Sequence, residues 1–270
     1  MDGTLAVKQI GENIWTFNES VPSTEPNAPS PIRPQVDAYL ITGTERAVVI
    51  DTLMEERSLY EHVRKITSLP LDVLITHAHP DHAGVSTEDF YNAGCNIYIC
   101  QEDHPLLHRF GRKTTFYKPL QEGMVFDLGG YRLETIMLPG HTPGSAVFLE
   151  AEKQHLYTGD AIGAGVFWMF TPASLSLREL RKNLTKLWDR VKGMDSLIIH
   201  TGHRHQAPIQ HNLEFLCDTI FVTDKIISGE WVGEEREMLY SGSQRIKYLT
   251  LAYKYITDYA YNPDNIGPPS

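Results

Sequence analysis

Positive charge is scarce in this chain: 24 Lys and Arg residues stand against 34 Asp and Glu, for a net charge of −10. A surface this acidic does not neutralise a phosphate backbone, so nucleic acid is excluded as a general partner. Cysteine is nearly absent too. Cys95, Cys100 and Cys217 form an odd, sparse set, which excludes a disulfide framework and fits reduced thiols in a cytoplasmic setting. Cys95 and Cys100 are close enough to invite a metal, but Cys100 ends the strand-like Asn96–Ile99, and a buried structural thiol is the reading the pattern favours. No apolar run approaches the roughly 20 residues a membrane span needs. The start, Met1-Asp2-Gly3-Thr4, has neither the basic residues nor the apolar core of a leader, so none is expected. With nucleic acid and membrane set aside, a small-molecule substrate is the expected partner.

What is present is dense in histidine. His77-Ala78-His79-Pro80-Asp81-His82 packs four metal-type ligands into six residues. It follows an apolar run, Leu71 to Thr76, that reads as a buried strand. If the strand direction persists briefly, His77 and His79 point the same way, because side chains alternate with a period of two. A turn at Pro80 can then bring Asp81 and His82 to a second position nearby. Two imidazoles on one side, with a carboxylate and a third imidazole beside them, suit one or two divalent metals.

The surrounding pattern alternates strands and helices. A hairpin is expected over Lys8 to Phe17, and a second pair over Val36 to Thr42 and Arg46 to Asp51. Val21 to Pro34, rich in proline, reads as an extended loop that folds over the cleft. Helices are expected at Glu55–Thr67, Thr87–Asn92, Glu102–Phe110 and Ser176–Val191, the last with Leu177, Leu180, Leu184, Leu187 and Val191 at helical spacing and Ser174 or Ser176 as its cap. Tyr131–Leu138, Ala146–Glu150, His155–Thr158 and Ser196–Thr201 read as strands. From Ile209 onward the pattern predicts helices over Ile209–Ser228 and Gln244–Tyr261. In the latter, Tyr248, Ala252, Tyr255 and Tyr259 would form a packing stripe or the face of a homodimer. The fold class expected is α/β, layered rather than barrel-like.

Three more strand ends carry ligand-type residues beside glycine: His141 after Leu138-Pro139-Gly140, Asp160 after Thr158-Gly159, and His203 after Thr201-Gly202. Glycine there lets the backbone approach a bound ion closely. His200 and His205 flank His203 and compete with it for the ligand role. His62, His104, His108, His155 and His211 read as structural or surface residues.

Together, His77-x-His79-x-Asp81-His82, His141, Asp160 and His203 resemble the signature of the metallo-β-lactamase superfamily, over roughly residues 8 to 210. The resemblance implies a four-layer αββα sandwich of two mixed β-sheets over residues 1–210, with a helical C-terminal extension, 211–270, packed on it. It also implies a ligand set. His77, His79 and His141 would hold one divalent ion, Asp81, His82 and His203 a second, and Asp160 would bridge them; Asp51 would support the ligand loop from behind. Zinc suits this N/O set first, with iron or manganese also accepted. The implied chemistry is hydrolysis by a hydroxide held between the two ions, with Asp81 as the catalytic residue that steers a proton.

Within the superfamily, Asp160 and the missing leader disfavour antibiotic hydrolysis. His79 disfavours the flavin-partnered reductases. The short interval from Asp160 to His203 disfavours the nucleic-acid-processing branch. What remains resembles the glyoxalase II-like and lactonase-like hydrolases of thioesters, esters and lactones. No basic cluster follows Asp160 to hold glutathione. The apolar run Ala161–Phe170 reads equally as core or as a pocket wall, in which Phe167, Trp168 or Phe170 would meet an apolar acyl group. The alternatives are a mononuclear-iron persulfide dioxygenase-like enzyme and a phosphodiester hydrolase.

Overall fold

A computed structural model describes residues 4–20, 35–55, 58–171, 173–206, 209–239, 243–254 and 256–268. The expected Val21–Pro34 loop lies outside the described residues. The chain forms two compact units, Met1–Glu134 and Thr135–Ser270.

The first unit is built on a seven-stranded sheet whose spatial order follows the chain. Its strands are β1 (Thr4–Gly11), β2 (Ile14–Ser20), β3 (Gln35–Thr42), β4 (Ala47–Ile50), β5 (Leu71–Leu74), β6 (Asn96–Ile99) and β7 (Tyr117–Pro119). Pairing is antiparallel from β1 to β4, and the links β1–β2 and β3–β4 are short enough for hairpins. It becomes parallel from β4 to β7, because each link there contains a helix: α1 (Leu59–Ile66), α2 (Ser86–Asn92) and α3 (His104–Arg109). The apolar run of β4 and all of β5, Asp72 included, are buried at every position, as strands covered on both faces are. In such sheets ligands collect beyond the carboxyl ends of the strands, which is where the His77–His82 segment leaves β5.

β8 (Val125–Asp127) pairs with the first half of β9 (Arg132–Met137), a strand that runs from one unit into the other. In the second unit β9 is followed by β10 (Ala146–Glu150), β11 (His155–Gly159), β12 (Val166–Met169), α4 (Leu177–Val191), β13 (Ile198–Thr201), α5 (Leu213–Ile227), β14 (Glu234–Leu239), β15 (Ser243–Tyr253) and β16 (Ile256–Tyr261). One sheet runs β13-β11-β10-β9 and a second runs β12-β16-β15-β14. The leucine stripe of α4 and Phe215, Leu216, Val222 and Ile226 of α5 share one buried cluster with Phe167, Met169, Tyr259 and Tyr261. Of the two candidate caps, Ser176 is the one used: its hydroxyl accepts from the Glu179 amide at 3.3 Å, and Glu179 returns a bond to the Ser176 amide.

The helix expected over Gln244–Tyr261 is a correction: β15 and β16 occupy this stretch, and the helical extension is confined to α5. The segment is rich in Tyr, Ile and Thr, which suit a pleated half-buried surface, and partners on both sides satisfy its backbone. The four-residue step from Tyr248 to Ala252 fits a period of two as well as a helix, Tyr259 belongs to the next strand, and the sheet won. Tyr255 lies outside the described residues. Among the described residues no helix is long and apolar enough to cross a membrane.

Candidate metal centre

In the first unit, the chain leaves β5 and tightens into a turn. The His82 and Ala83 amides both donate to the His79 carbonyl, at 3.0 and 2.9 Å, so the segment after Pro80 doubles back. His77 Nε2 and His79 Nδ1 come within 3.0 Å of each other. The His77 and His82 rings lie 4.2 Å apart, and His82 Nε2 is 3.8 Å from Asp81 Oδ2. All three histidines are buried, whereas the Asp81 side chain keeps 23% of its exposure.

Asp51 organises this turn. It caps β4 with φ at 62° and is itself buried. Its Oδ1 accepts from the Thr76 amide and its Oδ2 from the Thr76 hydroxyl, both at 2.8 Å. The same Oδ2 lies 2.7 Å from His82 Nδ1. A carboxylate on Nδ1 fixes the imidazole so that Nε2 is the coordinating atom. Leu53, also left-handed with φ at 61°, continues a strained loop; Glu19 holds it by accepting from the Met54 amide at 2.7 Å and the Glu55 amide at 3.0 Å. Gly84 lies so close to this loop that a Cβ there would sit 1.6 Å from the Leu53 carbonyl oxygen.

The second unit carries its own cluster. Asp160 follows β11, and its Oδ2 stands 3.8 Å from His141 Nε2 and 3.2 Å from His203 Nε2. The Gly202 amide donates to the Gly159 carbonyl at 2.9 Å, tying the loops of Asp160 and His203 together. His141 Nδ1 donates to the Trp168 carbonyl at 2.8 Å, which again leaves Nε2 as the coordinating atom. The Ser174 hydroxyl donates to the His141 carbonyl at 3.1 Å; sequence reasoning considered Ser174 only as a helix cap.

His203 is thus the histidine against Asp160. His200 is buried and lies 2.9 Å from His155, its ring stacked on Tyr157; burial pushes its pKa well below the usual histidine value. Burial, with His203 close by, also holds His205 down to about 4. Cys95 and Cys100 are free and buried. Burial, and the bond from the Cys100 thiol to Glu102, push the Cys100 thiol up to about 12, so neither a metal thiolate nor a nucleophile is offered there. Of the three aromatic candidates for a pocket, Phe167 is a correction: it packs flat on Tyr259 in the core, with ring centroids 5.0 Å apart. Trp168 points to the other side of β12, 38% exposed, against Phe170.

Within each unit, imidazole nitrogens and carboxylates of this kind, with His82 anchored in the first and His141 in the second, are groups that could hold a divalent metal. The family model of the metallo-beta-lactamase superfamily matches residues 32–203, a span that takes in every one of these ligands. The chain belongs to the metallo-beta-lactamase superfamily. Two relatives are hydrolases by name. Hydroxyacylglutathione hydrolase GloC of Haemophilus influenzae is 31% identical over 145 residues, 48% of this chain and 68% of its own. Acyl-coenzyme A thioesterase MBLAC2 of Gallus gallus is 25% identical over 199 residues, 61% of this chain and 69% of its own. Among solved structures, the metallo-beta-lactamase from Pontibacter korlensis has the same fold, with a TM-score of 0.65 at 18% identity over 82% of this chain and 99% of that one.

Proposed function

We propose that this superfamily member is a metal-dependent hydrolase of a thioester, ester or lactone with an apolar acyl group. The observation that carries the reading is the anchoring of His82 Nδ1 on Asp51 and of His141 Nδ1 on the Trp168 carbonyl. Such outer partners fix which imidazole nitrogen coordinates and raise its basicity. His77, His79, Asp81 and His82 of the first unit, and His141, Asp160 and His203 of the second, would supply the donors for divalent ions, with zinc as the first choice. Metal ions bound there supply a water acidic enough to ionise near neutral pH and a Lewis acid for the substrate carbonyl.

The chain's own groups do the rest. Asp160 Oδ2 lies near both His141 and His203, and its charge draws cations to the donor set. Asp81, the most exposed of the three acids at the ligand positions and behind them, is the group that would pass a proton between the site and solvent. Burial of His77, His79 and His82 keeps competing water off the donor atoms. Trp168 offers an exposed indole on the residue whose carbonyl orients His141, and that ring is the surface for the acyl chain. The thioester preference draws on the named activity of the thioesterase relative.

Elemental analysis of the purified protein, with a panel of thioesters, lactones, aryl esters and phosphodiesters, tests the reading. Two zinc ions per chain and carbonyl hydrolysis are expected. Hydrolysis confined to phosphodiesters would overturn the carbonyl assignment, and one iron per chain with oxygen consumption would move the protein to the dioxygenase reading. Trp168→Ala is expected to lower kcat/KM about tenfold more for long acyl chains than for short ones, the equivalent of about 1.4 kcal/mol. An unchanged ratio across chain lengths would remove Trp168 from the pocket.

A further inference from the structure

The ligand loop of the first unit leaves β5, whose two neighbours in the sheet are β4 and β6. Each neighbour ends in a buried aspartate. Asp51 follows β4, and its bonds to Thr76 and His82 are described above. Asp103 follows β6 in a single 3₁₀ turn, Gln101–Asp103. Its side chain is completely buried, and its Oδ2 accepts from the Ala78 amide at 2.8 Å. Ala78 is the residue between His77 and His79. A bond to its amide fixes the orientation of the peptide that separates the two imidazoles, and so the direction in which each leaves the backbone.

A second observation separates this role from ordinary helix capping. Asp103 occupies the N-cap position of α3, where an aspartate normally accepts from the amides of the first turn. Here its side chain makes no cap bond. The carboxylate reaches instead across 25 residues of sequence to the ligand loop. A carboxylate kept in a completely buried position also carries a desolvation cost that a cation nearby offsets.

We propose that Asp103 is a positioning residue of the metal centre, holding the Ala78 peptide so that His77 and His79 converge on one ion and adding buried negative charge that favours a cation there. Asp51 and Asp103 then grip the loop from the two strands that flank its own. The proposal rests on the reading of His77–His82 as metal ligands.

Zinc titration against a chromophoric chelator, on the full chain and on Asp103→Asn, Asp103→Ser and Asp103→Ala, tests it alongside the melting temperature of each metal-free protein. The serine variant is informative because serine can cap α3 but is too short to reach Ala78. Ser and Ala are expected to weaken zinc binding by roughly 10- to 100-fold, the range found for outer-shell partners, while metal-free Asp103→Ser melts close to the unsubstituted protein. Asn keeps an acceptor but loses the charge, and falls between. Zinc affinities equal to that of the unsubstituted chain would overturn the proposal. So would a loss of affinity in Asp103→Ser matched by an equal loss of metal-free stability. If Ser and Ala do not fold, Asn decides: undiminished affinity overturns the proposal, and a weakened one supports it. An unsubstituted chain that takes up no zinc, iron or manganese would instead remove the metal reading of the loop, and the proposal with it.

Discussion

Gly84 shows how little room the ligand loop leaves. It follows His82 by two positions, and its amide donates to the Thr52 hydroxyl at 3.0 Å. A Cβ at this position would sit 1.6 Å from the Leu53 carbonyl oxygen; the obstacle is backbone, not a side chain that could swing away. Leu53 and Asp51 are already left-handed, so the loop can yield only by releasing the Asp51 contacts to Thr76 and His82. Gly84→Ala is therefore expected to cost about 2–4 kcal/mol, in the range of overpacking and backbone strain, and to weaken metal binding. Urea unfolding and chelator competition measure the two effects, and normal values in both would show that the loop has slack. At this scale the histidines and carboxylates that the structure gathers into clusters were readable in the sequence as candidate ligands, because imidazoles two apart after an apolar run have few other uses. Of the groups behind them, Asp51 was anticipated through the family resemblance, and Asp103 and Ser174 were not. Asp103 and Ser174 act through side-chain bonds to backbone groups 25 and 33 residues away, and neither the amide nor the carbonyl they meet leaves a mark on composition or spacing.

At the scale of elements, α4 was legible to within one residue of its start, expected from Ser176 and observed from Leu177. Five apolar side chains at helical spacing fixed its buried face, and Ser176 with Glu179 formed a capping box. Ser176→Ala is expected to lower stability by about 1 kcal/mol, readable as a shift of the urea midpoint at unchanged slope; no shift would mean that the box contributes nothing beyond solvent. The strands from β14 to β16 were not legible as strands, and the reason is physical. Alternating and helical periodicities overlap when residues stand four apart, and single-segment patterns carry no information about a neighbour 92 residues away, as Gly165 is from Thr257. The small strands β7 and β8, of three residues each, are likewise set by partners rather than by their own sequence.

For the molecule as a whole, buried His200 and half-buried His155, outside the candidate ligands, set a pH dependence. Burial lowers the pKa of both His155 and His200 below 6.5. In the unfolded chain each returns to the ordinary value and takes up a proton that the folded state refuses. Their contribution to stability is therefore fully present above pH 6.5 and is lost as pH falls below it, at up to about 1.4 kcal/mol per pH unit for each proton difference. Metal-free protein should show a falling urea midpoint from pH 7 to pH 5.5, and His155→Gln should flatten that slope; an identical slope in the variant would sink the assignment. The α/β class and the superfamily were both readable from the sequence, because the ligand motifs recur at strand ends across most of the chain.

β12 holds the carbonyl on which His141 turns, and its partner in the sheet is β16, made of residues 256–261. During synthesis, then, the ribosome delivers His141, Asp160 and His203 long before it delivers the strand that pins the anchor of His141. A nascent chain already carries every candidate ligand while the strand beside that anchor is still missing, and the anchor of His141 is complete only after translation has passed Tyr261.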